Sequence, residues 1–129
     1  MKRYNPADIE KKWQTNWSEN QIYAAKDFDE KSKFVMLTEF PYPSGAGLHM
    51  GHMREYTLGD VIARHKRMQG RNVLFPMGFD AFGLPTENYA IKNKIAPQVA
   101  TAENVASFRN QLNMMGFGLD WNRSFSTTD

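Results

Sequence analysis

The chain contains no cysteine. This excludes a disulfide framework and any thiolate metal site, and it suits a reducing compartment. A continuous apolar run of about 18 residues is also missing, so no segment is expected to span a membrane. The opening Met1-Lys2-Arg3-Tyr4-Asn5-Pro6 has the charge of a signal n-region but no apolar segment follows it, and the expected location is the cytoplasm. Nor is there a large charge excess. Sixteen Lys and Arg against fourteen Asp and Glu leave a net charge of +2, too balanced to argue for nucleic acid by itself. Three histidines with no cysteine and no His-Glu-x-x-His leave no zinc ligand set. Internal repeats and low-complexity segments are absent.

What is present looks globular. With 129 residues, 41% hydrophobic and 23% charged, the chain has the size of one ordinary domain. Residues 6 to 20 read as a helix, with Asn5 as N-cap, Pro6 at the first position and Ile9, Trp13 and Trp17 forming an apolar packing stripe. Residues 21 to 33 read as a polar surface connection. The run Phe34 to Phe40 predicts a strand buried on both faces, stopped by Pro41 and Pro43 and followed by the small-residue turn Ser44-Gly45-Ala46-Gly47. A helix then fits Met50 to Gln69, with Met53, Leu58, Val61, Ile62, His65 and Met68 on its apolar side and Gly70 as the stop. His65 is expected there as a half-buried residue rather than a ligand. Lys66, Arg67 and Arg71 gather where cations suit a helix end.

Asn72 to Pro76 reads as a second strand, and the loop Met77-Gly78-Phe79-Asp80 follows it. Pro85 and Thr86 open a helix to about Lys94, and Thr101 caps another carrying Val105, Phe108, Leu112 and Met115. The Met-rich end of that helix is expected to fill the core, and Gly116 and Gly118 to terminate it. Strand–helix–strand alternation predicts an α/β fold, a parallel Rossmann-like sheet with an N-terminal helix. The expected division is 1–33 for that helix and its connection and 34–129 for the sheet-bearing part. Ligands in such sheets bind beyond the carboxyl ends of the strands, so the loops 41–52 and 77–87 should converge on one crevice.

The chemistry centres on Gly47-Leu48-His49-Met50-Gly51-His52, where a strand gives way to a helix. Free N–H groups and the helix dipole favour an anion at such a point. His49 and His52 stand three apart, so a helical first turn projects both rings towards one region. Two imidazole donors beside a helix N-terminus suit a triphosphate whose charge grows in the transition state. Asp80 taken alone reads as a turn former or helix cap; beside a zwitterionic amino acid, its carboxylate would pair with the ammonium. Phe40 and Tyr42 read equally as core packing or as the lining of a crevice.

His49-Met50-Gly51-His52 resembles the "HIGH" signature of class I aminoacyl-tRNA synthetases, with Met in the usual Ile place. Pro41-Tyr42-Pro43-Ser44-Gly45 and Leu48 to His52 resemble the leucyl form of that signature, and Asp80-Ala81-Phe82-Gly83-Leu84-Pro85-Thr86-Glu87 resembles the leucyl second loop. Gly116-Phe117-Gly118-Leu119-Asp120-Trp121 also looks leucyl. The resemblance implies ATP-dependent activation of leucine, then transfer to tRNA(Leu). It implies His49 and His52 as transition-state donors, with Gly51 making room for ATP. It implies Phe40 and Tyr42 as pocket lining, Asp80 as the ammonium partner, and Mg2+ arriving with ATP.

Two other readings compete. Gly45-x-Gly47-x-x-x-Gly51 resembles a loosened dinucleotide fingerprint of a nicotinamide oxidoreductase, but Met50 stands where the third Gly belongs and Asn72 where an acidic ribose partner belongs. The other is a catalytically inert nucleotide-binding or interaction module of the same ancestry. Family members complete the ATP site with a Lys-Met-Ser-Lys-Ser-type loop, and carry an editing insertion and a helical tRNA-binding domain. None of these occurs in this sequence. The chain therefore reads as an N-terminal fragment, expected to be marginally stable, weakly active or inactive alone, and prone to associate with the missing half or with itself.

Overall fold

A computed structural model describes residues 4–43 and 47–129. Of the turn expected at Ser44 to Gly47, only Gly47 lies within the described residues. Helix α1 spans Pro6–Glu19, strand β1 Lys33–Val35, helix α2 Met50–Met68 and strand β2 Asn72–Leu74. Strand β3 (Gly78–Phe79), helix α3 (Leu84–Asn93), helix α4 (Pro97–Met114), a 3-10 turn at Trp121–Arg123 and strand β4 (Phe125–Ser126) complete the order. Both strand pairs are parallel. β1 runs beside β2 with Phe34 opposite Val73, and β3 beside β4 with Gly78 opposite Phe125.

Helix α2 is the crossover between β1 and β2, and it packs closely on them. A Cβ on Gly59 would lie 2.9 Å from Thr38 Cγ2 and 3.1 Å from the Phe75 ring. Tyr56, Gly59 and Ala63 make its buried face, at spacings of three and four. The core joins these to Val73, Phe75, Met77, Phe79, Phe108, Leu112, Phe117 and Leu119.

Several expectations are corrected. From Lys33 to Phe40 the residues alternate exposed and half-buried, so β1 is not covered on both faces, and Leu37 is 61% exposed. The side of α2 expected to be apolar and inward is open: Leu58, Val61, Ile62, His65 and Met68 are exposed, and of that set only Met53 packs on the core. Thr101 does not cap a helix. It lies inside α4, where its hydroxyl donates to the Pro97 carbonyl four residues back at 2.8 Å. Met114 and Met115 are exposed rather than core filling, while Ala100 and Asn104 are buried instead. Asn5 occupies the N-cap position of α1, but its side chain bonds Asp8 at 2.6 Å and no backbone N–H.

Helix α1 buries no residue completely, and Ile9 and Trp13 of its stripe stay exposed. Polar and aromatic contacts hold it. Gln14 donates to the Met114 carbonyl at 3.1 Å, and Trp17 meets Tyr23 edge-on at 5.8 Å. Arg64 of α2 ties this corner together. Its guanidinium lies over Trp17 and Tyr23 and donates to Asp60, the Tyr23 hydroxyl and the Gly116 carbonyl. Among the described residues no helix is long and apolar enough to cross a membrane.

Candidate functional site

The first turn of α2 is capped by imidazoles in the places where Ser and Glu usually stand. His49, at the N-cap, accepts the Gly51 N–H at Nδ1 over 3.1 Å. His52, at the third helical position, accepts the His49 N–H at its own Nδ1 over 3.2 Å. A neutral imidazole that accepts at Nδ1 carries its proton on Nε2. Both rings therefore present an Nε2–H donor, and they are stacked with centroids 3.8 Å apart and planes 21° apart.

Gly51 fits this arrangement closely. A Cβ there would lie 2.9 Å from Cε1 and 3.0 Å from Nδ1 of His49. The glycine makes room for the imidazole, a reason additional to the close ligand approach that the sequence suggests. Burial lowers the His52 pKa below its ordinary value, and coupling to the neighbouring imidazole of His49 lowers it further, against the pull of Glu55 and Glu39. The neutral ring is thus the favoured form.

Behind His52 the column continues. The Tyr56 ring lies 5.7 Å away and nearly parallel, at 18°, and Phe108 of α4 meets His52 edge-on at 6.5 Å. The loop leading into α2 is held from α4 as well. The Gln111 side-chain oxygen accepts the Leu48 N–H at 2.8 Å, and Gly47 adopts φ +74° against that same amide. Gln111, Tyr56 and Glu55 were not singled out from the sequence. Only Tyr56 carries a legible signal, since 49, 52 and 56 share a helix face.

Beyond β1, the two strand-exit loops meet through a backbone hydrogen bond. The Asp80 N–H donates to the Pro41 carbonyl at 3.0 Å. One Asp80 oxygen accepts the Thr127 hydroxyl at 3.3 Å, and that hydroxyl also accepts the Ala81 N–H. Phe40 is half-buried, with its ring against Gly78 and edge-on to Phe125 at 5.1 Å. A Cβ at Gly78 would come within 2.7 Å of that ring. Tyr42 is 49% exposed beside it in sequence. The fold thus brings His49, Gly51 and His52 into one cluster and places Phe40, Tyr42 and Asp80 apart from it, near the chain that follows β1; Glu39, held by Tyr56 and Glu55 of α2, links the two regions. A separate cleft of about 610 Å³ between α1, α4 and the 116–122 segment contains none of these residues.

The chain has matches among known proteins in sequence and in fold. The family model described as tRNA synthetases class I (I, L, M and V) matches residues 12–129. The chain belongs to the class I tRNA synthetases. A leucine–tRNA ligase from Alkaliphilus oremlandii is 58% identical over the whole chain, which spans 16% of that relative. Leucine–tRNA ligases from Aliivibrio fischeri and Agrobacterium fabrum are 53% and 50% identical, over 98% and 100% of this chain and 15% of each relative. A solved structure, the ternary complex of Agrobacterium radiobacter K84 agnB2 LeuRS with tRNA and LeuAMS, superposes with a TM-score of 0.92 at 37% identity. It is matched over 98% of this chain and 16% of that one. The Rossmann-like α/β fold expected from the sequence is the fold observed. The chain spans about a sixth of the length of the relatives it matches.

Proposed function

We propose that this chain forms the nucleotide- and leucine-facing wall of a site that converts leucine and ATP to leucyl-adenylate and pyrophosphate, for transfer of leucine to tRNA(Leu). One observation carries the reading: the stacked pair of Nε2–H donors at the N-terminus of a 19-residue helix. Attack of the leucine carboxylate on the α-phosphorus forms a new P–O bond and breaks the bond to the departing pyrophosphate. Negative charge builds on the phosphoryl oxygens between these events. Neutral imidazole N–H donors and the positive helix end stabilise it without a proton leaving either ring.

Asp80 supplies the carboxylate for the leucine ammonium in this reading, and Phe40 and Tyr42 supply apolar and hydroxyl surface beside it. The leucine–tRNA ligase relatives and the neighbouring LeuRS–tRNA–LeuAMS complex support the choice of substrates. No cluster of three or more His, Asp or Glu side chains able to hold a metal occurs among the described residues. In this reading the expected Mg2+ arrives with ATP, held by triphosphate oxygens. Cytoplasmic location belongs to this same reading.

Calorimetric titration with ATP, with leucine and with a non-hydrolysable leucyl-adenylate analogue tests it. His52→Ala is expected to weaken ATP and analogue binding with leucine binding retained, and Asp80→Ala the reverse. Equal loss of both ligands in both variants would sink the assignment and indicate unfolding. Absence of nucleotide binding in the parent chain would favour an inert module. Leucine-dependent pyrophosphate exchange by the chain alone is expected to be weak or undetectable.

A further inference from the structure

We propose that Tyr56 is a positioning residue for His52: its buried ring is the floor on which the two imidazoles stack. Residues 49, 52 and 56 follow the helix at spacings of three and four. Their three rings form one column, with 3.8 Å and 21° between the first pair and 5.7 Å and 18° between the second. The floor of that column cannot move far. Tyr56 is fully buried, and Phe117 meets its ring edge-on at 6.3 Å and 85°.

The hydroxyl adds a tie between α2 and the segment that follows β1. It donates to the Glu39 carbonyl at 3.1 Å, while the carboxylate of the next residue back, Glu55, accepts the Glu39 N–H. Consecutive residues of α2 thus grip both backbone groups of Glu39. Burial, then Glu55 and Glu39, push the Tyr56 hydroxyl above its ordinary pKa, so it remains a donor. Glu39 immediately precedes Phe40, so the strand exit and the imidazole pair form one braced unit. Without a flat ring beneath it, His52 gains freedom to rotate away from the His49 N–H. Its tautomer and the aim of Nε2 would then no longer be fixed.

The consequence for ligand binding rests on the proposed function, but the positioning itself is measurable without it. Proton NMR of the 129-residue chain gives three imidazole signals, from His49, His52 and His65. They can be assigned with His→Gln variants, and His65 serves as the internal reference. Cross-relaxation between the Tyr56 ring and the His52 imidazole is expected in the parent chain, and its absence would overturn the proposal.

Tyr56→Phe keeps the ring and should leave the His52 signals in place. Tyr56→Leu, or Tyr56→Met if the first does not fold, should move them towards free-imidazole positions with His65 unmoved. Affinity for the adenylate analogue should fall about three- to tenfold in these non-aromatic variants, the worth of one aromatic pair. Leu112→Ala, a core change outside the column, serves as the stability control and should bind like the parent once corrected for the folded fraction. Unchanged His52 signals in the non-aromatic variants, or the same displacement in Tyr56→Phe, would overturn the proposal. So would an equal affinity loss in Leu112→Ala. If the parent binds no analogue while the signals respond as expected, the proposed function fails and the positioning role stands.

Discussion

Helix α2 has two faces of opposite character. The inner face carries Tyr56, Gly59 and Ala63, which are buried, and it stands on Thr38, Met36 and Phe75. The flank carries Leu58, Val61, Ile62 and Met68, which are exposed by 59%, 60%, 43% and 86%. By side-chain hydrophobicity the flank is the better core. The difference shows that close approach chose the inner face. A glycine and an alanine let the helix axis come down onto the strands, and one large ring fills the space at its N-terminal end. The flank's apolar residues stay outside the core.

Substitutions can break or sharpen this contrast. The largest effect is expected from Tyr56→Ala on the inner face. Truncating a fully buried aromatic costs about 3–5 kcal/mol, a large fraction of the ~5–15 kcal/mol typical of a domain. Urea unfolding followed by circular dichroism should show a midpoint far below the parent's, and near-parent stability would refute the assigned face.

Gly51→Ala, at the capped turn where the helix meets its ligand side, should separate stability from function. Alanine favours the helix by up to about 1 kcal/mol, but its Cβ must displace the His49 ring, 2.9 Å away. The expected outcome is a small change in unfolding midpoint with a clear loss of ATP binding. Unaltered ATP affinity would show that the ring's place is immaterial.

The pH response sharpens the contrast further. Because folding lowers the His52 pKa, the unfolded chain takes up this proton at higher pH than the folded one. Stability should therefore fall as pH drops below about 6.5, the ordinary imidazole range. Comparing urea midpoints at about pH 7.5 and 5.5, scaled to that imidazole value, His52→Gln should flatten the decline. A slope unchanged by that substitution would assign it to other groups. The smallest effect is expected on the flank: Leu58→Gln and Val61→Gln should each stay within about 0.5 kcal/mol. A loss several times larger would show that the flank is covered.

Much of the site was legible in the residues because its signals are local. Pro6, Pro85 and Gly116 mark helix boundaries through backbone geometry that acts within a turn or two. The extent of α2 and the two strand-exit loops follow from similarly short-range patterns. By contrast β4 was not foreseen, because its two residues become a strand only by pairing with Gly78 and Phe79, far away in sequence. The exposed flank of α2 is not legible in the sequence, because periodicity reports that a stripe exists, not what lies against it. Thr101 has the residue type of a cap, whereas Pro97 opens the helix a turn earlier.

The sequence by itself determined the parallel α/β order, the place where a helix N-terminus meets two imidazoles, and the resemblance that led to the family. Those depend on residue type and short spacing. Tertiary structure alone decided which face of α2 is buried, that both Nδ1 atoms accept backbone N–H groups, and that Tyr56, Glu55 and Gln111 hold the turn in place. These depend on close approach between segments far apart in sequence, where a few tenths of an ångström separate a fit from a clash.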